Sequence, residues 1–190
     1  MTAVAIPPSL VVIELGDLVL RAPDPSDAAA VVAAFADPQL RQWNPPPVHD
    51  DDPDAAALAW IRDRADWSAG LRVAWVVAEA APSGTGPLLG SVSIRVEAHS
   101  GNGSIGYWTA PPARGRGVAT RAVRAATRFA FDVVGVHRIE LAHAVANPPS
   151  CRVAHGAGFP LEGVLREAYT YGDGARYDEH LHAKLATDPD

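Results

Sequence analysis

Arg114-Gly115-Arg116-Gly117-Val118-Ala119-Thr120 has the composition of an anion cradle. Glycines let a backbone approach a ligand closely, and the free N–H groups at a helix N-terminus, reinforced by its dipole, attract negative charge. Arg114, Arg116 and Arg121 add planar guanidinium forks suited to phosphate oxygens. A pyrophosphate fits this set of donors. A glycine-rich turn with solvated arginines is the other reading. The two common nucleotide loops do not fit, because the sequence contains no Gly-x-x-x-x-Gly-Lys-Ser/Thr and no Gly-x-Gly-x-x-Gly after a strand near its start.

Other residues offer chemistry of different kinds. Cys151 and His155 stand four apart on a predicted helix and share a face, the pairing a cysteine hydrolase uses. No third orienting group is evident, and a structural cysteine is the preferred reading. His180 and His182 point to one side of a predicted strand, as two metal ligands do. Without a third ligand nearby, packing or solvation is preferred and no metal is expected. Trp43, Trp60 and Trp67 present aromatic faces that suit a peptide or cation, or burial in a core.

The elements that position these residues follow from composition and periodicity. The chain of 190 residues is 48% hydrophobic and 20% charged, the balance of one globular core rather than of a disordered or membrane-spanning chain. Its net charge of -6 is opposite to that of a general nucleic-acid binder. Lys184 is the only lysine, while five arginines fall between positions 114 and 128 with no acid among them, a local patch for a compact anion. A single cysteine excludes an intrachain disulfide and fits a reducing cytoplasm. Residues 1–13 are apolar but lack a basic residue and are broken by Pro7 and Pro8, so 1–17 is read as a loose N-terminal extension rather than a secretory signal. No apolar run approaches the roughly 20 residues of a membrane helix. Residues 18–186 are read as a single domain.

Residues 18–21 form a predicted strand. Asp24 and Pro25 then open an alanine-rich helix that ends at Asp37-Pro38. A proline- and aspartate-rich loop leads to a helix over 55–69. Valine-rich stretches at 72–79 and 88–97 flank the turn around Pro82-Ser83-Gly84 and predict a hairpin, with a third strand at 104–109. Val118, Ala122, Ala125, Ala126, Phe129 and Val133 mark an amphipathic helix over 117–134, stopped by Gly135. A strand at 138–145, a helix at 150–157 and two strands around Tyr171-Gly172-Asp173-Gly174 complete an α/β or α+β domain without internal repeats. The helix between strands implies a crossover, hence a mostly antiparallel mixed sheet with one parallel pair near its middle.

Arg114-x-x-Gly117-x-Ala119, between a strand and a helix, matches the acyl-CoA signature Arg/Gln-x-x-Gly-x-Gly/Ala, and the chain resembles the GNAT superfamily of N-acetyltransferases. Asn147-x-x-Ser150-x-Arg152-Val153-Ala154, Gly158-Phe159, Glu162-Gly163-Val164-Leu165-Arg166 and Asp173-Gly174 are similar to the branch of ribosomal-protein alanine N-acetyltransferases. So are Arg21 with Ser26-Asp27, Gly90-Ser91, Gly106-Tyr107-Trp108 and Val136-His137-Arg138-Ile139-Glu140-Leu141. The resemblance spans residues 18–185. It implies the GNAT fold, a twisted, mostly antiparallel sheet of about seven strands with about four helices on its faces, splayed into a V between its fourth and fifth strands.

It also implies acetyl-CoA as co-substrate, with no metal. The pyrophosphate would rest on Arg114, Gly115, Arg116, Gly117, Val118, Ala119 and Thr120. The pantetheine arm would pair like an extra strand with Tyr107, Trp108 and Thr109, and Asn147 and Ser150 would reach it from the other side. The acceptor amine would attack the thioester directly, with a strand N–H holding the oxyanion. Many relatives carry a tyrosine four residues after the position of Ser150, where this chain has Ala154, so Ser150 inherits the role of acid; its alternative is a helix cap. Glu97 is the implied base, with a solvated strand-end glutamate and a water relay as alternatives. Acids frequent in the branch are replaced by Ser104 and Arg121. Asp50, Asp51, Asp52 and Asp54 would border the acceptor entrance and attract a cationic amine, although a solvated loop is the preferred reading.

The expected activity is acetyl transfer to a primary amine, a protein or peptide N-terminal amine being favoured over a small-molecule amine such as an aminoglycoside or polyamine. A non-catalytic acyl-CoA-binding module is the alternative from another class. Neither nucleic acid nor membrane is an expected partner, and a homodimer is the assembly the resemblance suggests.

Overall fold

The computed structural model describes residues 4–7, 10–45, 52–68, 71–81 and 84–189; Asp50, Asp51, Pro82 and Ser83 lie outside the described residues. Among these, eight strands form one sheet: β1 (Ile13–Leu15), β2 (Leu18–Arg21), β3 (Arg72–Ala81), β4 (Gly84–Val96), β5 (Gly103–Thr109), β6 (Arg138–Ala144), β7 (Leu161–Thr170) and β8 (Arg176–Leu185). The five helices are α1 (Ala28–Phe35), α2 (Pro38–Trp43), α3 (Pro53–Ala65), α4 (Val118–Phe129) and α5 (Pro148–Gly156). The sheet order is β1-β2-β3-β4-β5-β6-β8-β7, antiparallel throughout except for the parallel β5–β6 pair in the middle.

Strand alternation divides the core in two. Trp75 and Val77 of β3 join Ile94, Ile139, Leu141 and Phe159 under α4 and α5, where Val118, Ala122, Ala126 and Phe129 are the buried stripe of α4. Val76, between them, faces Val31, Leu40, Trp60 and Ile61 of α1, α2 and α3. Arg21 at the end of β2 makes a bidentate ion pair with buried Asp27 at 2.7 and 2.8 Å, and Asp27 also accepts from the Asp24 N–H. That pair fixes α1 to the sheet and accounts for the Arg21 and Ser26-Asp27 motif.

Three details depart from the sequence expectations. The described part of the extension is tied down: β1 adds an edge strand, Val11 O accepts from the Trp75 indole at 2.7 Å, and the Ala5 N–H donates to Val134 O. The helix over 117–134 is α-helical only to Phe129, then widens into a π-helical turn at Ala130–Val134. The wider turn keeps Ala130 and Val134 both buried and leaves Val133 exposed, before Gly135 ends it at φ 82°. The unexpected α2 begins where an end was read: Asp37 accepts from the Leu40 N–H and Pro38 takes the first helical position, so Asp37-Pro38 starts a helix as well as closing one.

Candidate active site

β5 and β6 pair only at Gly103↔Ile139 and Ser104↔Glu140, then diverge. β5 stays on β4 as far as Gly90↔Thr109 because Gly90 has no Cβ; one there would collide with the Trp108 carbonyl oxygen. Among the described residues, the far edge of β5 is therefore left without a strand partner beyond Ser104. A cleft of about 600 Å³ opens along it. Its lining includes Tyr107, Trp108, Thr109, Arg114, Gly115, Gly117, Val118, Ala119, Thr120, Asn147 and Ser150, which the fold gathers from β5, the following turn, α4 and α5. Arg116 and Glu97 are not in this lining.

Gly115 and Gly117 adopt φ of 75° and 73°, left-handed backbone that places the start of α4 at the end of the cleft. Among the described residues no side chain caps α4, so its first N–H groups are open to a ligand. The arginines are less free than their sequence suggests. Arg114 holds Asp37 and Gln39, Arg116 holds Glu79 at 2.7 Å, and Arg121 holds Asp17 at 2.6 Å with Leu15 O. The Arg114 hydrogen bond keeps the Asp37 carboxyl below the usual carboxylate range. The donors left for an anion are therefore the uncapped main-chain N–H groups, with Arg114 at the rim.

Ser150 lies in the first turn of α5 rather than capping it. The cap is Asn147, whose side-chain oxygen accepts from the Ser150 N–H at 3.4 Å ahead of Pro148 and Pro149. The Ser150 Oγ stands 2.5 Å from the Tyr107 hydroxyl. Burial pushes Tyr107 up to about 12, so it stays protonated; its hydroxyl also lies 3.3 Å from the Ser150 carbonyl oxygen, to which it can donate. Ala154, four residues after Ser150, is fully buried against the core. Glu97 does not join them: its exposed carboxylate accepts from the N–H groups of His99 and Ser100 in the β4–β5 turn, which holds its pKa below the usual range.

A second recess of about 440 Å³ opens beside the first and shares Trp43, Asn44, Gly106, Trp108 and Tyr171 with it. Trp43 packs edge-on against Tyr171 and Tyr177, and the Tyr171 hydroxyl donates to Glu179 at 2.7 Å. Gly172 rests its backbone on α2, its N–H donating to Gln42 O at 3.0 Å, and so joins two walls of the cleft. Trp43 and Trp60 line this recess, whereas Trp67 packs with Trp75 and Phe129 in the other core. Asp52 caps α3 and Asp54 lies in its first turn. Sequence reading missed α2, Tyr171 and Glu179 as walls; the Asp37-Pro38 start signal was available, while the fold alone brings the β7–β8 turn to them.

The fold also supplies what the histidine pair lacked. His180 is opposite His143 in the β6–β8 register, His182 lies on the same face, and α5 adds Cys151. The rings of His143 and His182 stack at 5.3 Å, and burial pushes both below the ordinary imidazole range. His155 meets His182 edge-on at 5.2 Å. The reason given against a metal, a missing third ligand, does not survive the folding of β6 and α5 onto β8.

A profile of the acetyltransferase (GNAT) domain matches residues 17–160. The putative ribosomal N-acetyltransferase YdaF of Bacillus subtilis is 32% identical over 94 residues, 49% of this chain and 51% of that protein. The ribosomal-protein-serine acetyltransferase of Escherichia coli is 32% identical over 99 residues, 52% of this chain and 55% of that protein. The chain thus spans about half the length of these curated relatives. The structure of Mycobacterium smegmatis RimJ, solved with CoA-disulfide, superposes with a TM-score of 0.75 at 29% identity, covering 93% of this chain and 87% of that one. Among the described residues no helix is long and apolar enough to cross a membrane. With the splayed sheet, the uncapped helix after it and a profile that covers most of the chain, this protein belongs to the GNAT family of acetyltransferases.

Proposed function

We propose that the protein transfers an acetyl group from acetyl-CoA to a primary amine, with the N-terminal α-amine of a protein or peptide as acceptor. The carrying observation is the unpaired edge of β5 leading directly to the uncapped start of α4. An extended pantetheine arm completes that edge as a strand would, and its pyrophosphate lies on the N–H groups after Gly115 and Gly117. Relatives named for ribosomal-protein acetylation, and a neighbour solved with CoA-disulfide, support the cofactor and the acceptor class.

The amine enters from the recess bounded by Trp43, Trp108 and Tyr171 and attacks the thioester carbon. A β5 N–H left without a strand partner stabilises the oxyanion, and collapse of the tetrahedral adduct expels the thiolate. Ser150 donates the proton that the thiolate takes up and regains one from water in the cleft, while Tyr107, kept protonated by its burial, holds the Ser150 hydroxyl through their 2.5 Å contact. The amine proton leaves through a water relay, because Glu97 is committed to its own turn. The single cysteine supports a cytoplasmic setting. The exposed Leu161, Val164, Leu165 and Tyr169 of the edge strand β7 support a homodimer, which sedimentation would test.

The test is thiol release from acetyl-CoA with a panel of free-N-terminus peptides, their N-acetylated counterparts, aminoglycosides and polyamines. Release with the free peptides alone is the expected result. Release only with aminoglycosides or polyamines would overturn the acceptor class, and none with any amine would overturn the reading as a whole.

A further inference from the structure

We propose that His143, His180, His182 and Cys151 form a binding site for one divalent transition-metal ion of the zinc class. Their donor atoms all lie within 4.8 Å of one another. Three elements converge to make the cluster: β6 carries His143, β8 carries His180 opposite it and His182 two residues on, and α5 contributes Cys151. Three imidazoles and a thiolate are the donors that borderline-soft ions select, and zinc takes four of them as a tetrahedron. With bonds of roughly 2.0–2.3 Å such donors stand about 3.3–3.8 Å apart, so side-chain rotations that draw the most separated pair in by about an ångström close the site.

An independent observation lies in the unused ring nitrogens. A carbonyl oxygen only accepts, so the protons of His143 and His182 lie on Nδ1, donating to Ala144 O at 2.8 Å and to Phe159 O at 3.0 Å. In neutral rings the lone pairs are then on Nε2. Both Nε2 atoms are buried without a hydrogen-bond partner among the described residues, and so is His180 Nδ1. Metal-binding histidines are oriented this way, the far nitrogen donating to a carbonyl while the near one faces the ion. A cluster kept for packing alone has no use for three buried nitrogens left unmet. The site borders the cleft without depending on the transfer chemistry, since His143 is in the lining and Cys151 follows Ser150.

The test uses the 190-residue chain without an affinity tag, stripped with a chelator and titrated with Zn²⁺, and with Co²⁺ as the spectroscopic probe. One equivalent of Zn²⁺ per chain is expected. Co²⁺ should give thiolate charge-transfer absorption in the near ultraviolet and the intense visible bands of tetrahedral geometry. Cys151→Ser should abolish the charge-transfer band and weaken Zn²⁺ binding about tenfold or more. His180→Gln should weaken it similarly, and a melt of each metal-free variant establishes that it is folded, so either variant carries the test. His155→Gln, outside the donor set, should bind as the parent does. Parent Zn²⁺ affinity no greater than that of a folded Cys151→Ser or His180→Gln variant overturns the proposal, as does an octahedral Co²⁺ spectrum without the thiolate band.

Discussion

Gly117→Ala separates two reasons for a glycine at the head of α4. The residue sits at φ 73°, and a Cβ built there meets nothing within 4 Å. The stability cost is therefore backbone conformation alone, about 1–2 kcal/mol for a non-glycine residue in left-handed geometry. For a domain of this size that lowers the melting temperature by roughly 2–8 °C. Gly16 is a matched control, with φ 73°, no neighbour within 4 Å and a place in the β1–β2 turn outside the cleft lining. Both alanine variants should melt earlier by similar amounts without ligand. Acetyl-CoA at 100 times its dissociation constant adds about 2.7 kcal/mol to the parent, a rise of roughly 5–10 °C. The Gly16→Ala variant should keep that rise. In Gly117→Ala the new methyl occupies the space where the phosphates approach the helix N–H groups, and a tenfold loss of affinity would halve the gain to about 1.4 kcal/mol. Thermal scans at fixed acetyl-CoA read both quantities. Equal ligand rises in the two variants would refute the placement of the anion on this turn, and an unchanged melting temperature for Gly16→Ala would refute the backbone argument.

Ser150→Ala should cut turnover about tenfold or more while the acetyl-CoA thermal shift is retained, and an unaltered turnover number would remove Ser150 from the mechanism. Gly172→Ala places a Cβ against the Arg41 carbonyl oxygen, so the β7–β8 turn must move off α2; a loss of about 1–3 kcal/mol in urea unfolding, with a raised acceptor KM, is expected. An Asp37→Asn variant keeps the helix cap but drops the pair with Arg114. Because the folded Asp37 pKa is lowered, first by the Arg114 hydrogen bond, the pair's contribution is fully present above about pH 4 and fades as pH falls through the lowered value. The variant should be less stable than the parent at pH 7, with the difference closing in acid; a gap independent of pH would contradict the charge-based account.

Local signals made most of the fold legible. The alternation of β3 and β4, the Gly-Pro turn chemistry and the stripe of α4 each express their structure within a few residues. The glycine turn and the helix start after it were readable for the same reason, since they are contiguous. What escaped was non-local or had two meanings. The arginines read as phosphate ligands are matched by Asp37, Glu79 and Asp17, none closer than 37 residues in sequence. Asn147, not Ser150, caps α5, a choice between neighbours that depends on backbone angles. The four donors of the histidine cluster come from β6, α5 and β8, and only the crossover brings them together.

The parting of β5 from β6 has a consequence for the protein without ligand. Interior strands are normally protected from self-association because both edges are paired, whereas here an open edge lies in the middle of the sheet. Roughly 15 Å of pairing groups, at about 3.3 Å per residue over 105–109, is left as a template for any extended chain. The backbone bond from Gly172 to Gln42 ties two walls of the cleft together beside that edge. A bound extended ligand would cover that edge, so occupancy of the cleft and resistance to self-association should rise together.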